Sequence, residues 1–179
     1  MTAPPRTGHR GFSMIEVMVT LVVMTFGLLG LVKMQTAALA NTQLARVRSL
    51  VALQAGSMAA AMHGNPFWSS GSAPASVSAS GVTITDTSGQ LSQTVNCTAS
   101  PCTPAQMAAA DVQSWVAGLN VRFPSYTAQI SCVSSAAAPT SCIIKLTWAE
   151  KYVAVNRSTS LAAGAVQTST QQFSLYVAP

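Results

Sequence analysis

The chain has 179 residues, of which 49% are apolar and only 7% charged, a balance that excludes a disordered polypeptide or an isolated solvated helix. The length accommodates one ordinary domain beside an apolar segment, and hardly two independent domains. The formal net charge is +5, but no Lys/Arg cluster interleaved with aromatics is present, which argues against a nucleic-acid binder.

The first element is an apolar run. From Phe12 to Val32 the only other side chains are Ser13, Glu16, Thr20 and Thr25, with glycines at Gly27 and Gly30. As a helix the run reaches roughly 30 Å, the thickness of a hydrocarbon core. The basic leader (Arg6, His9, Arg10) and the Ala38-Leu39-Ala40 triplet fit a secretory signal peptide, but the run exceeds the usual ~7 to 15 apolar residues of such a signal. A plain membrane anchor explains the length, with the basic leader left cytoplasmic. A core helix of a soluble protein would need more chain to surround it than remains. None of these explains Glu16. A carboxylate within a membrane helix costs about 2.5 to 3.5 kcal/mol on insertion scales and calls for a partner.

After Lys33, whose stem can reach the interface, the helical pattern becomes amphipathic. Leu44, Val47, Val51, Gln54, Met58 and Ala61 recur at spacings of three and four, with Ala55 and Met62 beside them and Gln43, Arg46 and Arg48 off that face. The pattern stops at "HGNP", where Gly64 is expected as the C-terminal cap and Pro66 cannot continue a helix. No proline intervenes from Phe12 to Asn65, so one helix of about 50 residues, roughly 75 Å long, is expected.

Residues 67–93 are rich in Ser, Gly, Ala and Thr and read as a long loop with one short strand, Val82 to Thr85. "CTPAQMAAADVQSWVAGL" reads as a second helix, with Thr103 as N-cap, Pro104 at the first helical position and Gln106 closing a capping box. Its stripe of Ala108, Val112, Trp115 and Leu119 packs on the domain; Trp115 is a core residue before it is a ligand platform. "YTAQISCV" and "CIIKLTWA" then alternate, joined through "SSAAAPTS" as an antiparallel hairpin. "KYVAV" and "QQFSLYV" add two further strands. About four antiparallel strands covering an amphipathic helix make an α+β domain.

Four cysteines, Cys97, Cys102, Cys132 and Cys142, follow the apolar run; an even count downstream of an export segment favours disulfides. Three connectivities exist. Cys97 with Cys102 and Cys132 with Cys142 is favoured, the second pair sitting on the apolar faces of the two hairpin strands. Zinc is disfavoured because the spacings form no paired knuckles and His63 is the only histidine beyond the leader. Asp86, Asp111 and Glu150, the acids beyond the apolar run, read as surface charges or caps, and no nucleophile, base and orienter stand together. No catalytic residue, metal or cofactor is expected.

"RGFSMIEVMVTL" resembles the processing and methylation site of type IV prepilins and related pseudopilins, with Gly11, Phe12, a hydroxyl residue and Glu16 in register at the mouth of an apolar helix. The resemblance implies that a prepilin peptidase cuts after Gly11 and methylates the new N-terminal Phe12. It also answers Glu16: in a helical array the acid of one subunit can meet the Phe12 amine of its neighbour, and a charge pair in hydrocarbon is cheaper than either ion alone. The simpler reading is an acid that stays near the headgroups, at a helix start where negative charge is favoured.

The implied fold is the type IV pilin fold. The implied segments are a cytoplasmic leader at 1–11, removed on processing, a transmembrane and assembly half-helix at 12–33, an amphipathic half-helix at 34–63, and a periplasmic α+β domain with two disulfides at 64–179. The implied location is the bacterial inner membrane in a single pass, and then the pilus. The absence of a midway proline and the cysteine-free last strand depart from major pilins. Residues 97–150, with the Cys97 to Cys102 loop, "TPAQMAAADVQSW" and "KLTWAE", resemble the minor-pilin branch. That branch implies a non-enzymatic subunit that primes pilus assembly and sits at or near the tip. Its partners would be other minor pilins, the major pilin, a large tip adhesin, the prepilin peptidase, the inner-membrane assembly platform, and lipid before assembly. The rivals are a minor pseudopilin of a type II secretion system and a DNA-binding pilin of uptake. The latter would need a basic stripe, for which only Arg122, Lys145, Lys151 and Arg157 are available, scattered in sequence.

Overall fold

A computed structural model describes residues 12–123, 125–135, 138–153 and 166–179, apart from the side chains at 33, 37, 152, 153, 166 and 167. Gly11 and its leader, the residue pair 136–137 of the hairpin loop, the end of "KYVAV" and Arg157 lie outside the described residues. Two compact units divide within the first helix, one ending at Gln43 and the other running from Leu44 to Pro179.

The elements are α1 (Met14–Gly64), α2 (Pro66–Ser69), β1 (Ser76–Ser80), β2 (Thr83–Asp86), α3 (Pro104–Arg122), β3 (Thr127–Ser135), β4 (Ala138–Val153) and β5 (Val166–Val177). The sheet is antiparallel in the order β2-β1-β3-β4-β5. The long apolar helix, the antiparallel sheet and the short helices make an α+β fold consistent with that of the pilins.

Among the described residues five strands stand where about four were expected. The additional one, β1, is "SVSAS", whose serines read as a loop by composition; its alternation nevertheless buries Val77 and Ala79, opposite Ile130 and Ala128 of β3. Gly81 has φ +60° in the two-residue β1–β2 turn, a conformation that glycine adopts without a Cβ penalty. "CIIKLTWA" and "KYV" form one strand instead of two, because no turn residue interrupts the alternation between them. Pro139, expected in a loop, lies inside β4 near its start.

The core of the second unit lies between the sheet and the helices. α1 contributes Val51, Ala55, Met58 and Met62, α3 contributes Ala108, Val112, Trp115 and Leu119, and the inward positions of β3 and β4 complete it. The buried line on α1 therefore runs through Ala55 and Met62, with Gln54 and Ala61 on its shoulder. Trp115 is a core residue whose Nε1 donates to the Gln54 carbonyl at 2.8 Å. Tyr126 Oη donates to the Gly81 carbonyl at 2.8 Å, and burial pushes its pKa up.

Both helix boundaries have an identifiable cause. Gly64, expected as the C-terminal cap, is the last residue of α1 and has no positive φ. The stop comes from Asn65, which is extended and caps α2: its Oδ1 accepts the Phe67 N–H at 3.0 Å while its Nδ2 donates to the Pro104 carbonyl at 2.9 Å. α3 begins with a full capping box. Thr103 Oγ1 accepts the Gln106 N–H at 3.3 Å and Gln106 Oε1 accepts the Thr103 N–H at 2.9 Å.

Candidate assembly site

The site begins at the head of α1. Phe12 is exposed, and the Ser13 carbonyl accepts the N–H groups of Glu16 and Val17 at 3.0 and 3.3 Å, opening the helix. Glu16 therefore sits in the first turn, where the positive end of the helix dipole favours an anion. It is the only charged side chain from Phe12 to Val32.

Around that acid the helix surface is apolar on every side. Its most apolar stretch has a mean hydropathy of 2.3, with none of it buried, and the large apolar side chains from Phe12 to Leu39 are exposed, including Phe26, Leu28 and Met34. Water is a poor solvent for such a surface, so lipid or other apolar helices must cover it. The hydroxyls fit that setting. Thr20 donates to the Val17 carbonyl at 2.9 Å and Thr25 to the Val22 carbonyl at 2.7 Å, so neither leaves an unmet donor. Gly27 and Gly30 have nothing near the position of a Cβ, which lets another backbone approach closely.

In the second unit the acids take three different environments. Asp86 is a loop cap: its carboxylate accepts the N–H groups of Ser88, Gln90 and Ser92 and the Ser88 hydroxyl, at 2.7 to 3.2 Å. Burial pushes its pKa up, and these hydrogen bonds outweigh that and hold it below the usual range. Asp111 is half-buried on α3, and burial raises its pKa.

Glu150 is not a surface charge. It is 5% exposed and faces the helices from β4. Arg48 of α1 grips it through two nearly parallel bonds, Nε to Oε1 at 3.1 Å and Nη2 to Oε2 at 2.9 Å, and Trp148 Nε1 donates to Oε1 at 3.0 Å. The hydrogen bond from Arg48 is the main cause of a pKa held below the usual glutamate range, against burial and with help from Trp148. Sequence reasoning missed this cluster although it carried a signal: Glu150 shares its parity with Cys142, Ile144, Leu146 and Trp148, all inward-facing.

The cysteines pair as Cys97–Cys102 and Cys132–Cys142. Cys132 and Cys142 are register partners on β3 and β4, and both side chains are buried in the core.

Compared with known proteins, residues 6–32 match the family model of the prokaryotic N-terminal methylation motif. No curated protein and no solved structure is matched. Together with the fold, the motif supports a type IV pilin-like class of protein, a substrate of the prepilin peptidase handled by pilus or pseudopilus assembly machinery. An apolar N-terminal helix bearing this motif fits a pilin anchored in the inner membrane and later taken into a filament.

Proposed function

We propose that the chain is a minor pilin of the PilV type, a non-enzymatic subunit that joins other minor pilins in a complex priming type IV pilus assembly and stays at or near the tip. The observation that carries this reading is a lone acid, Glu16, five positions past Gly11 at the head of an exposed helix with no other charged side chain before Lys33, within a matched methylation motif. Cleavage after Gly11 frees the Phe12 nitrogen as an ammonium cation at the mouth of the apolar helix. In hydrocarbon that amine and the Glu16 carboxylate of a neighbour stabilise each other, and a misregistered helix leaves both unpaired. Apolar contacts between helices replace lipid contacts at little net gain, so packing and the charge pair set the direction of assembly. The segments follow: 1–11 removed, 12–33 in the membrane and then the filament core, 34–63 amphipathic, and 64–179 periplasmic. The resemblance of residues 97–150 to minor pilins supports the finer assignment.

Mass spectrometry of the mature chain tests the reading, with an N-methylated Phe12 as the expected terminus. A mature chain that retains Met1, or one that begins at Asn41, overturns it. Glu16→Ala should insert into membranes at wild-type level and disappear from sheared surface filaments; wild-type recovery from filaments counts against the charge pair.

A further inference from the structure

The outward face of the sheet takes no part in the core or in the chemistry of Phe12 and Glu16. Register places Thr85, Ser78, Gln129, Lys145 and Ser174 in one row across all five strands. Thr127 and Thr147 are partners in the next row. Neighbouring groups in such a row are about 4.8 Å apart. These rows floor a concavity of about 450 Å³.

No carboxylate lies on this face: Glu16 is on α1, Asp111 is on α3, and Asp86 and Glu150 occupy inward positions of their strands. Lys145 and Lys151 do lie on it, six residues apart on β4, about 20 Å along a strand. The Lys145 side chain makes no hydrogen bond or ion pair with any described residue. One outward row along the same strands, Tyr176 is 67% exposed beside its register partner Ile143.

The chemistry of the face selects its ligand. A hydroxyl both donates and accepts, so a surface of hydroxyls is desolvated without loss only by a ligand that does the same. The centre of a protein interface would be aromatic or aliphatic, and here it is Ser, Thr and Gln. Duplex DNA carries a charge about every 1.7 Å and needs a denser set of cations than the two lysines that the described residues place on this face. A polymer of hydroxyl-rich rings with spaced carboxylates matches both the rows and the lysines, and the exposed Tyr176 ring offers a flat surface to the C–H face of a sugar. We propose that the outward sheet face binds a carboxylated polysaccharide, with Lys145 and Lys151 on its carboxylates and the Ser/Thr/Gln rows on its hydroxyls. This does not depend on whether the chain enters a filament.

The test uses the full-length chain in detergent micelles over immobilised alginate, with neutral dextran as control and duplex DNA as competitor. Wild type should bind alginate and not dextran. Lys145→Gln and Lys151→Gln should each weaken binding about tenfold, the scale of one charge-assisted hydrogen bond, with unchanged unfolding midpoints. Thr127→Val, which keeps the charge and the shape, should also weaken it. The proposal is overturned by absent alginate binding, by wild-type affinity in Lys145→Gln, or by DNA displacing alginate as well as free alginate does while Thr127→Val has no effect.

Discussion

A carboxylate two residues beyond Trp148 on a buried strand face persists as an anion because Arg48 meets it with a planar fork. Glu150 binds its proton less readily in the folded chain than in the unfolded one. Its contribution to stability is therefore complete above the ordinary glutamate range and is lost as the pH falls through the lowered folded value. Thermal unfolding followed between neutral and acid pH should show a midpoint that declines below that range. Glu150→Gln should unfold at a lower temperature at neutral pH and show a flatter acid limb. Asp86 is also lowered and acts with the same sign, so part of the slope survives in that variant; an identical slope in both proteins would contradict this account. Glu150 was read as a surface charge although strand parity marks it as inward, and its partner carried no local signal, since 102 residues separate it from Arg48. The methylation motif was legible because Gly11, Phe12 and Glu16 fall within six consecutive positions of the matched segment, whereas the outward row through Lys145 exists only once five strands are in register.

At the scale of elements, local rules wrote most of the fold. "TPAQ" specifies the start of α3 with both partners of the capping box inside four residues, and the structure closes both bonds. Thr103→Ala removes one of them and should cost about 1 kcal/mol, read as a lower denaturant midpoint with an unchanged slope; Thr103→Ser should restore most of it. The stop of α1 was legible in Pro66, although the residue that closes the corner is Asn65, through a long-range bond to Pro104 that no local pattern encodes. β1 was missed because serine, a turn former by composition, occupies every outward position of "SVSAS". Its strand character comes from pairing with β2 and β3 on its two edges, a tertiary cause that outweighs a weak intrinsic preference. The division of β4 into two strands failed for the converse reason, since the absence of a breaker was the informative feature.

Across the whole molecule, covalent links compensate for a small core in the Leu44–Pro179 unit, which has few charged side chains to hold its surface. Replacing Cys132 and Cys142 together by serine should cost about 2 to 4 kcal/mol, measured as the loss of denaturant stability against the intact protein. The corresponding change at Cys97 and Cys102 should cost less, because those sulfurs lie at the rim while Cys132 and Cys142 are buried. Equal losses would remove the distinction. The grip of Arg48 on Glu150 has a mechanical corollary. Because β4 is hydrogen-bonded on both flanks and riveted to β3 by a disulfide, tension drawn along the helix is delivered to an interior strand and shared between β3 and β5 before either can peel away.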